Sequence, residues 1–332
     1  MNLTKIIQEK ILILDGAMGT MIQRHQLNEE DYRGERFKNS HRSLKGNNDL
    51  LSITQPEIIK NIHLEYLKAG ADIIETNTFN ANQISMLDYD MADLIEELNS
   101  ASVRLALEAA GEITAQMPDK PRFVAGAVGP TNRTASISPK VSDPGFRNID
   151  FDELVQTYYR QTVALLKSGV HAILVETIFD TLNAKAAFFG IMNAMEDTEI
   201  DVPLMASGTI TDKSGRTLSG QTTEAFLISL SHIPLLSIGL NCALGAQDLV
   251  PYIKTLSENS PFYVSVYPNA GLPNAFGKYD ETPEIMLENI KPFIENNLVN
   301  IIGGCCGTTP EHIRLIAEYS QKFQPRQIPE FS

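Results

Sequence analysis

The chain has 332 residues, a length typical of a single α/β barrel. Hydrophobic residues make up 43% and charged residues 20% of the chain, a composition that excludes wholesale disorder. The formal net charge is −14, from 27 Lys and Arg against 41 Asp and Glu, and without a basic cluster this balance excludes a nucleic-acid partner.

The first apolar run predicts neither export nor membrane insertion. It covers residues 11–14 and leads directly into Asp15, so it is too short for a signal-peptide core or a membrane span. We therefore expect a cytoplasmic protein without a membrane partner. In that reducing compartment, three cysteines are expected to be thiols or metal ligands rather than disulfides.

Eight short apolar runs end abruptly in polar or glycine-containing segments, as the strands of a parallel sheet do. We predict strands over residues 11–14, 71–74, 123–128, 172–175, 203–206, 236–240, 263–266 and 299–302.

Segments with helical spacing of apolar residues, or with helix-starting signals, separate these runs. We predict helices over residues 56–68, 91–110, 151–167, 182–195, 224–231 and 246–256, with two more beginning at 282–283 and 309–310. The last of them is expected to run through about residue 319.

Strand–helix alternation repeated eight times predicts an α/β fold of the (β/α)8 TIM-barrel type. An open, doubly wound sheet is the alternative, but the chain lacks a glycine-rich dinucleotide-binding motif. We predict one barrel domain over residues 1–323 and a linker or tail over 324–332. Two long connections, 25–51 and 131–150, follow strands and are expected to lie over the C-terminal mouth.

All three cysteines fall at predicted strand ends. Cys242 comes two residues after the sixth strand, and Cys305 and Cys306 come directly after the eighth. A single cysteine would more often be a packing residue. In a barrel, however, these three side chains share one mouth, which favours metal ligation, and thiolates without a redox partner favour zinc.

The histidines leave this metal site without a convincing fourth ligand. The predicted fold puts four of them on helices or at the wrong end of a strand, and two in the first long connection remain candidates: His63, His171, His232 and His312, then His25 and His41. Three protein ligands and an open position are typical of catalytic zinc. A three-thiolate site suits the activation of a substrate thiol better than that of a carbonyl or of water.

Two carboxylates directly end strands on opposite sides of the predicted mouth, Asp15 and Glu176. Alkyl transfer to a preformed thiolate needs no proton shuttle, so we interpret this pair as holding a substrate ammonium group. Capping or ion pairing is the alternative, and Glu75, which also ends a strand, competes for the role.

Two further segments at the mouth have candidate binding groups. The turn over residues 16–19 can present backbone N–H groups to a carboxylate, although glycine is common in such loops. Asn269 ends the seventh strand and is a candidate fourth zinc ligand when substrate is absent. An ordinary turn role for Asn269 is the alternative.

Two motifs, GLNCALG around Cys242 and GGCCGTTP around Cys305 and Cys306, resemble the zinc motifs of the homocysteine S-methyltransferase family. Longer segments, among them LDGAMGTMIQ, ETNTFNAN, ETIFDTLNAK and YPNAGLPNAFGKYDETP, resemble the N-terminal homocysteine-binding module of cobalamin-dependent methionine synthase. Together these segments span residues from about 11 to about 316.

The resemblance implies a role for each candidate residue. The three cysteines would bind zinc, and the homocysteine sulfur would take the fourth position. Asp15 and Glu176 would hold the amino group, and the backbone at Ala17 and Met18 would receive the carboxylate. Asn269 would occupy zinc without substrate.

The resemblance also implies the reaction, a zinc-dependent methyl transfer from methylcobalamin to homocysteine that yields methionine. The chain has no Asp-x-His-x-x-Gly corrinoid motif. We therefore expect an excised module or a free-standing subunit, with corrinoid- and folate-binding partners that supply methylcobalamin. Two alternatives stay open: a self-sufficient enzyme with a small donor such as S-methylmethionine or betaine, and a non-catalytic zinc- or thiol-binding scaffold.

Overall fold

The computed structural model describes residues 2–211, 214–274 and 279–330. Its sheet has eight strands, all paired in parallel. They are β1 Leu12–Ile13, β2 Ile73–Glu75, β3 Phe123–Val128, β4 Ala172–Ile178, β5 Leu204–Gly208, β6 Leu235–Gly245, β7 Tyr263–Asn269 and β8 Ile301–Ile302.

The sheet closes on itself. Neighbouring strands follow the chain order from β2 to β8, and β8 pairs with β1 through Leu12 and Ile301. A bridge between Leu14 and Ile73 joins β1 to β2, where the Asp15 N–H also donates to the Ile73 carbonyl at 3.0 Å. The predicted (β/α)8 barrel is confirmed.

Eight long helices surround the barrel, one after each strand, as predicted. They are α5 Pro56–Ala69, α7 Ile95–Gln116, α8 Phe151–Lys167, α9 Thr181–Thr198, α10 Thr223–Leu230, α11 Ala246–Asn259, α12 Pro283–Glu295 and α13 Pro310–Ser320. The shorter helices are α1 Leu3–Ile6, α2 Met18–Arg24, α3 Glu29–Arg33, α4 Leu51–Thr54 and α6 Gln83–Met86, with 3-10 turns at Asn48–Leu50, Leu87–Tyr89 and Ala92–Leu94.

Helix α7 differs most from its prediction over 91–110, because it begins four residues later and continues to Gln116. A 3-10 turn over Ala92–Leu94 occupies the predicted first turn. Helix α8 begins where predicted, since Asp150 and Glu153 form a reciprocal capping box at its N-terminus. Helix α5 ends at Gly70, whose φ of 112° favours glycine.

Five strands, β2, β4, β5, β6 and β7, extend beyond the apolar runs that predicted them. Glu176 lies within β4, Cys242 within β6 and Asn269 within β7. The expectation that Cys242 follows the sixth strand is therefore wrong. Pairing between strands continues past the end of each continuous apolar run, and an apolar pattern reports burial rather than this pairing.

The apolar core forms two layers, one between strands and helices and one inside the barrel. Helix α1 closes the N-terminal end of the barrel with Leu3 and Ile6. The inner layer contains Leu12, Leu14, Ile73, Leu174, Met205 and Ile301. In the described part of the chain, we find no helix long and apolar enough to cross a membrane.

The segment after α13 packs on the N-terminal face of the barrel through Arg326, whose side chain is buried. Its guanidinium donates to the carbonyls of Ser257, Ser260 and Phe262 at 2.8–2.9 Å. The Arg326 carbonyl in turn accepts the Asn300 amide at 2.7 Å. The division of the chain at residue 323 stays a prediction, but Arg326 belongs structurally to the barrel.

We expect Arg326→Met to destabilise the fold by about 2–4 kcal/mol, because it leaves three carbonyls without their charged donor. Urea unfolding monitored by circular dichroism measures this change. The exposed neighbour Gln324 supplies the matched control, and Gln324→Met should leave the midpoint nearly unchanged. Equal midpoints for both variants would show that the segment contributes no stability.

Candidate active site

The three cysteines meet at the C-terminal mouth of the barrel. Their Sγ atoms all lie within 4.8 Å of one another, and those of Cys242 and Cys306 are 3.9 Å apart. Tetrahedral zinc with Zn–S bonds of about 2.3 Å separates its sulfurs by roughly 3.8 Å. The cluster therefore has the dimensions of a three-thiolate zinc site.

The chemistry of these thiols also fits a cation. Hydrogen bonds with Cys242 and Cys305 lower the pKa of the Cys306 thiol to about 3. Hydrogen bonds with Cys242 and Cys306, together with burial, raise the pKa of the Cys305 thiol well above its usual value. Ionisation is thus concentrated on one sulfur, since neighbouring thiolates repel. A bound dication would allow all three to ionise.

A bulge in β6 brings Cys242 into the mouth. Asn241 pairs with Tyr267 and Gly245 pairs with Asn269, so three residues of β6 lie opposite a single residue of β7. Within the bulge Cys242 has φ 58° and Ala243 has φ 53°. Left-handed backbone at residues other than glycine costs about 1–3 kcal/mol each and is typical of functional sites.

Polar contacts hold the segment with Cys305 and Cys306 in place. The Cys305 N–H donates to the Pro268 carbonyl at 2.8 Å, and the Cys306 N–H donates to Asn269 Oδ1 at 3.1 Å. Because Asn269 is buried, this hydrogen bond holds the backbone of Cys306 in place. Its predicted role as a fourth ligand stays a prediction.

Beside the thiols lies a cluster of three carboxyl groups, from Asp15, Glu75 and Glu176. Burial raises the pKa of all three, and the charge of Glu75 raises that of Asp15 and Glu176 further. Glu75 and Glu176 also share a hydrogen bond. Asp15 and Glu176, which the sequence singled out, are brought together, and Glu75 joins them.

The turn at Ala17 and Met18 also lines the mouth. The Ala17 N–H donates to Thr308 Oγ1 at 3.2 Å, while Met18 begins α2, where the first N–H groups lack a helical acceptor. Tyr66 supports the turn, since its hydroxyl lies 3.2 Å from the Ala17 carbonyl and 3.1 Å from the Thr308 carbonyl. Sequence reasoning missed Thr308 and Tyr66.

Thiols, carboxyls and turn all face one cavity of about 880 Å³. It is lined by residues from the ends of six strands: Asp15, Glu75, Glu176, Cys242, Tyr267 and Cys305. The first long connection contributes Asn48 and Asp49, as expected for a loop over the mouth. The second long connection, residues 131–150, is hydrogen-bonded to the start of α9, where Ser136 Oγ donates to Asp180 Oδ1 at 2.6 Å.

Histidines of the described part of the chain do not lie at metal-ligand distance from the three cysteines. Among the described residues, the cluster with metal-ligand spacing consists of the three cysteines alone. His25 and His41, left open by the sequence, are exposed. An exogenous ligand can therefore take the fourth position.

Fold and site define a class of protein: an α/β barrel with a thiolate cluster and an acidic cluster at one mouth. The family model of homocysteine S-methyltransferase matches residues 12–320. The chain belongs to this family and is a methyltransferase that acts on homocysteine.

Solved structures of the homocysteine methyltransferase MmuM from Escherichia coli share the fold. The oxidized form superimposes with a TM-score of 0.75 at 22% identity, over 95% of this chain and 98% of that one. The metallated form gives a TM-score of 0.73 at 21% identity, over 96% and 99%.

We expect Cys242→Ser to lower the zinc content well below one ion per chain. Removal of a direct ligand should weaken binding by more than the roughly 10–100-fold typical of a group that only supports a ligand. Metal analysis after dialysis against a chelator measures this. Met117→Ser removes an exposed, remote sulfur and is the control. Full zinc occupancy in Cys242→Ser would contradict the site.

The raised pKa of Glu75 predicts a pH-dependent stability. Burial raises this pKa from 4.5 to about 7, so between these values the folded state binds the proton more tightly. Stability is therefore gained as the pH falls through this window and lost as it rises. We expect Glu75→Gln to be more stable than wild type at pH 8, by about 1–3 kcal/mol, and to converge with it near pH 5.

Urea unfolding at both pH values measures this difference. Glu65→Gln, at an exposed glutamate of α5, is the control and should follow the wild-type curve. A constant offset between Glu75→Gln and wild type across the window would contradict the prediction.

Proposed function

We propose that the chain holds zinc through Cys242, Cys305 and Cys306 and activates the homocysteine thiol for methyl transfer, giving methionine. The observation that carries this proposal is the placement of a thiolate cluster beside a carboxyl cluster in one cavity. A substrate with a thiol and an ammonium group would engage both.

Zinc bound there would lower the pKa of a substrate thiol from its usual value of about 8.5 and leave the sulfur nucleophilic. The three cysteines would hold this ion. Because their thiolates donate electron density to the zinc, its net positive charge would stay low and the bound substrate sulfur would remain nucleophilic. Each of them is partly exposed to the cavity, so a substrate sulfur can reach the open position.

The carboxyl cluster would bind the ammonium group of homocysteine. An arriving cation favours the ionised forms of Asp15, Glu75 and Glu176, which burial and mutual repulsion otherwise disfavour. The carboxylate of homocysteine would lie at the turn of Ala17 and Met18. These contacts fix both ends of the amino acid and leave the thiol directed at the cysteines.

The methyl donor in this proposal is methylcobalamin, presented by a corrinoid-binding module or subunit that works with a folate-binding one. Support for this donor comes from the longer sequence segments that resemble the homocysteine-binding module of cobalamin-dependent methionine synthase. We also propose a cytoplasmic location, because free thiolate ligands require a reducing compartment.

Methionine formation from homocysteine, assayed with free methylcobalamin, S-methylmethionine or betaine, tests the donor. We expect turnover with methylcobalamin and its loss in Cys306→Ser. Turnover only with a small donor would replace the cobalamin proposal with that of a self-sufficient methyltransferase. Homocysteine binding without turnover under any donor would indicate a non-catalytic scaffold.

The ammonium site has its own test. We expect Glu176→Gln to raise the Kd of homocysteine by about 10–100-fold, the usual loss for a hydrogen bond to a charged group. A thiol without an amino group, 3-mercaptopropionate, should lose far less affinity. Isothermal titration measures both, with Glu65→Gln as the control for loss of a carboxylate. Equal losses for the two thiols would exclude Glu176 from the ammonium site.

A further inference from the structure

We propose that Asn241 is a positioning residue that sets the spacing between the carboxyl cluster and the thiol cluster, and thereby selects homocysteine over amino acids with a shorter thiol arm. This inference rests on the proposed function of the same cavity. Asn241 itself does not line the cavity, and it is fully buried behind Cys242.

Asn241 binds the residue that follows Glu176. Its Oδ1 accepts the Thr177 N–H at 3.1 Å, and its Nδ2 donates to Thr177 Oγ1 at 2.9 Å. Thr177 has φ 55°, a left-handed conformation that is unusual for a β-branched residue. The two hydrogen bonds between Asn241 and Thr177 hold this left-handed conformation. It lies at the register shift of β4, where Glu176 faces the cavity.

The other contacts of Asn241 fix it to the strand in between. Ser207 Oγ donates to Asn241 Oδ1 at 2.7 Å, and Thr209 Oγ1 donates to the Asn241 carbonyl at 2.8 Å. Oδ1 of Asn241 accepts two hydrogen bonds and its Nδ2 donates one. These partners determine the orientation of the side-chain amide.

On its other side Asn241 adjoins the thiols. Its Nδ2 lies 4.0 Å from Cys305 Sγ, and its main chain leads directly into the left-handed residues Cys242 and Ala243. One buried amide, on the strand that also carries Cys242, therefore contacts both Thr177 beside Glu176 and the sulfur of Cys305. The distance between the ammonium and thiol sites depends on that amide.

Homocysteine and cysteine differ by one methylene group between these two ends. A site of fixed span discriminates such a pair by about 10–200-fold. When Asn241 is altered, both clusters keep their chemical groups but lose their fixed separation. The expected consequence is a loss of discrimination rather than a loss of binding groups.

The test uses Asn241→Asp, which keeps the shape and the acceptor but removes the donor to Thr177 and Cys305. The readouts are the Kd values of homocysteine and cysteine, and the thiolate-to-metal absorption of the cobalt-substituted protein. We expect the homocysteine-to-cysteine affinity ratio to fall by about tenfold or more, with a shifted absorption band.

A matched control exists at the opposite end of the barrel. Asn300 is also fully buried and bonds a neighbouring strand, since its Oδ1 accepts the Val264 N–H at 3.0 Å and its Nδ2 donates to Arg326 at 2.7 Å. Asn300→Asp should lower stability while the affinity ratio and the absorption band stay as in wild type.

If Asn241→Asp does not fold, Ser207→Ala removes one hydrogen bond from the same amide and should shift the ratio in the same direction by a smaller factor. An unchanged ratio and band in a folded Asn241 or Ser207 variant would overturn the inference alone. Failure of the wild-type protein to bind homocysteine would instead overturn the proposed function, and this inference with it.

Discussion

Repulsion between like charges at the C-terminal mouth is the constraint on which the rest of the site depends. Three thiols and three carboxyl groups face one cavity, and burial opposes ionisation of the carboxyls. The pKa of Cys306 is lowered beside the other two thiols, and the carboxyl groups of Glu75 and Glu176 share a hydrogen bond. In the proposed function, cations complete such a site, a metal ion on one side and an ammonium group on the other.

The closed barrel makes this concentration of charge possible. The six groups come from the ends of five strands or from the turns after them, while the apolar layers of the barrel supply the stability. Helix α1 and Arg326 close the N-terminal face, away from the chemistry. The stable end and the reactive end of the molecule are thus separated along the barrel axis.

At the mouth, two places where a functional side chain leaves the regular strand have left-handed backbone. Thr177 follows Glu176, and Cys242 and Ala243 form the bulge of β6. Asn241 makes two hydrogen bonds with Thr177 and directly precedes Cys242 in the chain, so it adjoins both distortions. The proposed role of Asn241 in substrate selection therefore rests on one buried amide that lies between the two distorted segments.

The eightfold strand–helix alternation, the grouping of the three cysteines at one mouth and the candidates Asp15 and Glu176 were predictable from the sequence, because burial and strand endings leave a local pattern. The bulge at Cys242, the docking of Arg326 and the network of Asn241 became visible only in the folded barrel. Residues 64 positions apart in the chain, Thr177 and Asn241, meet only after the barrel closes. Apolar periodicity records which side chains are buried, whereas such polar contacts depend on the register between strands, which no local pattern contains.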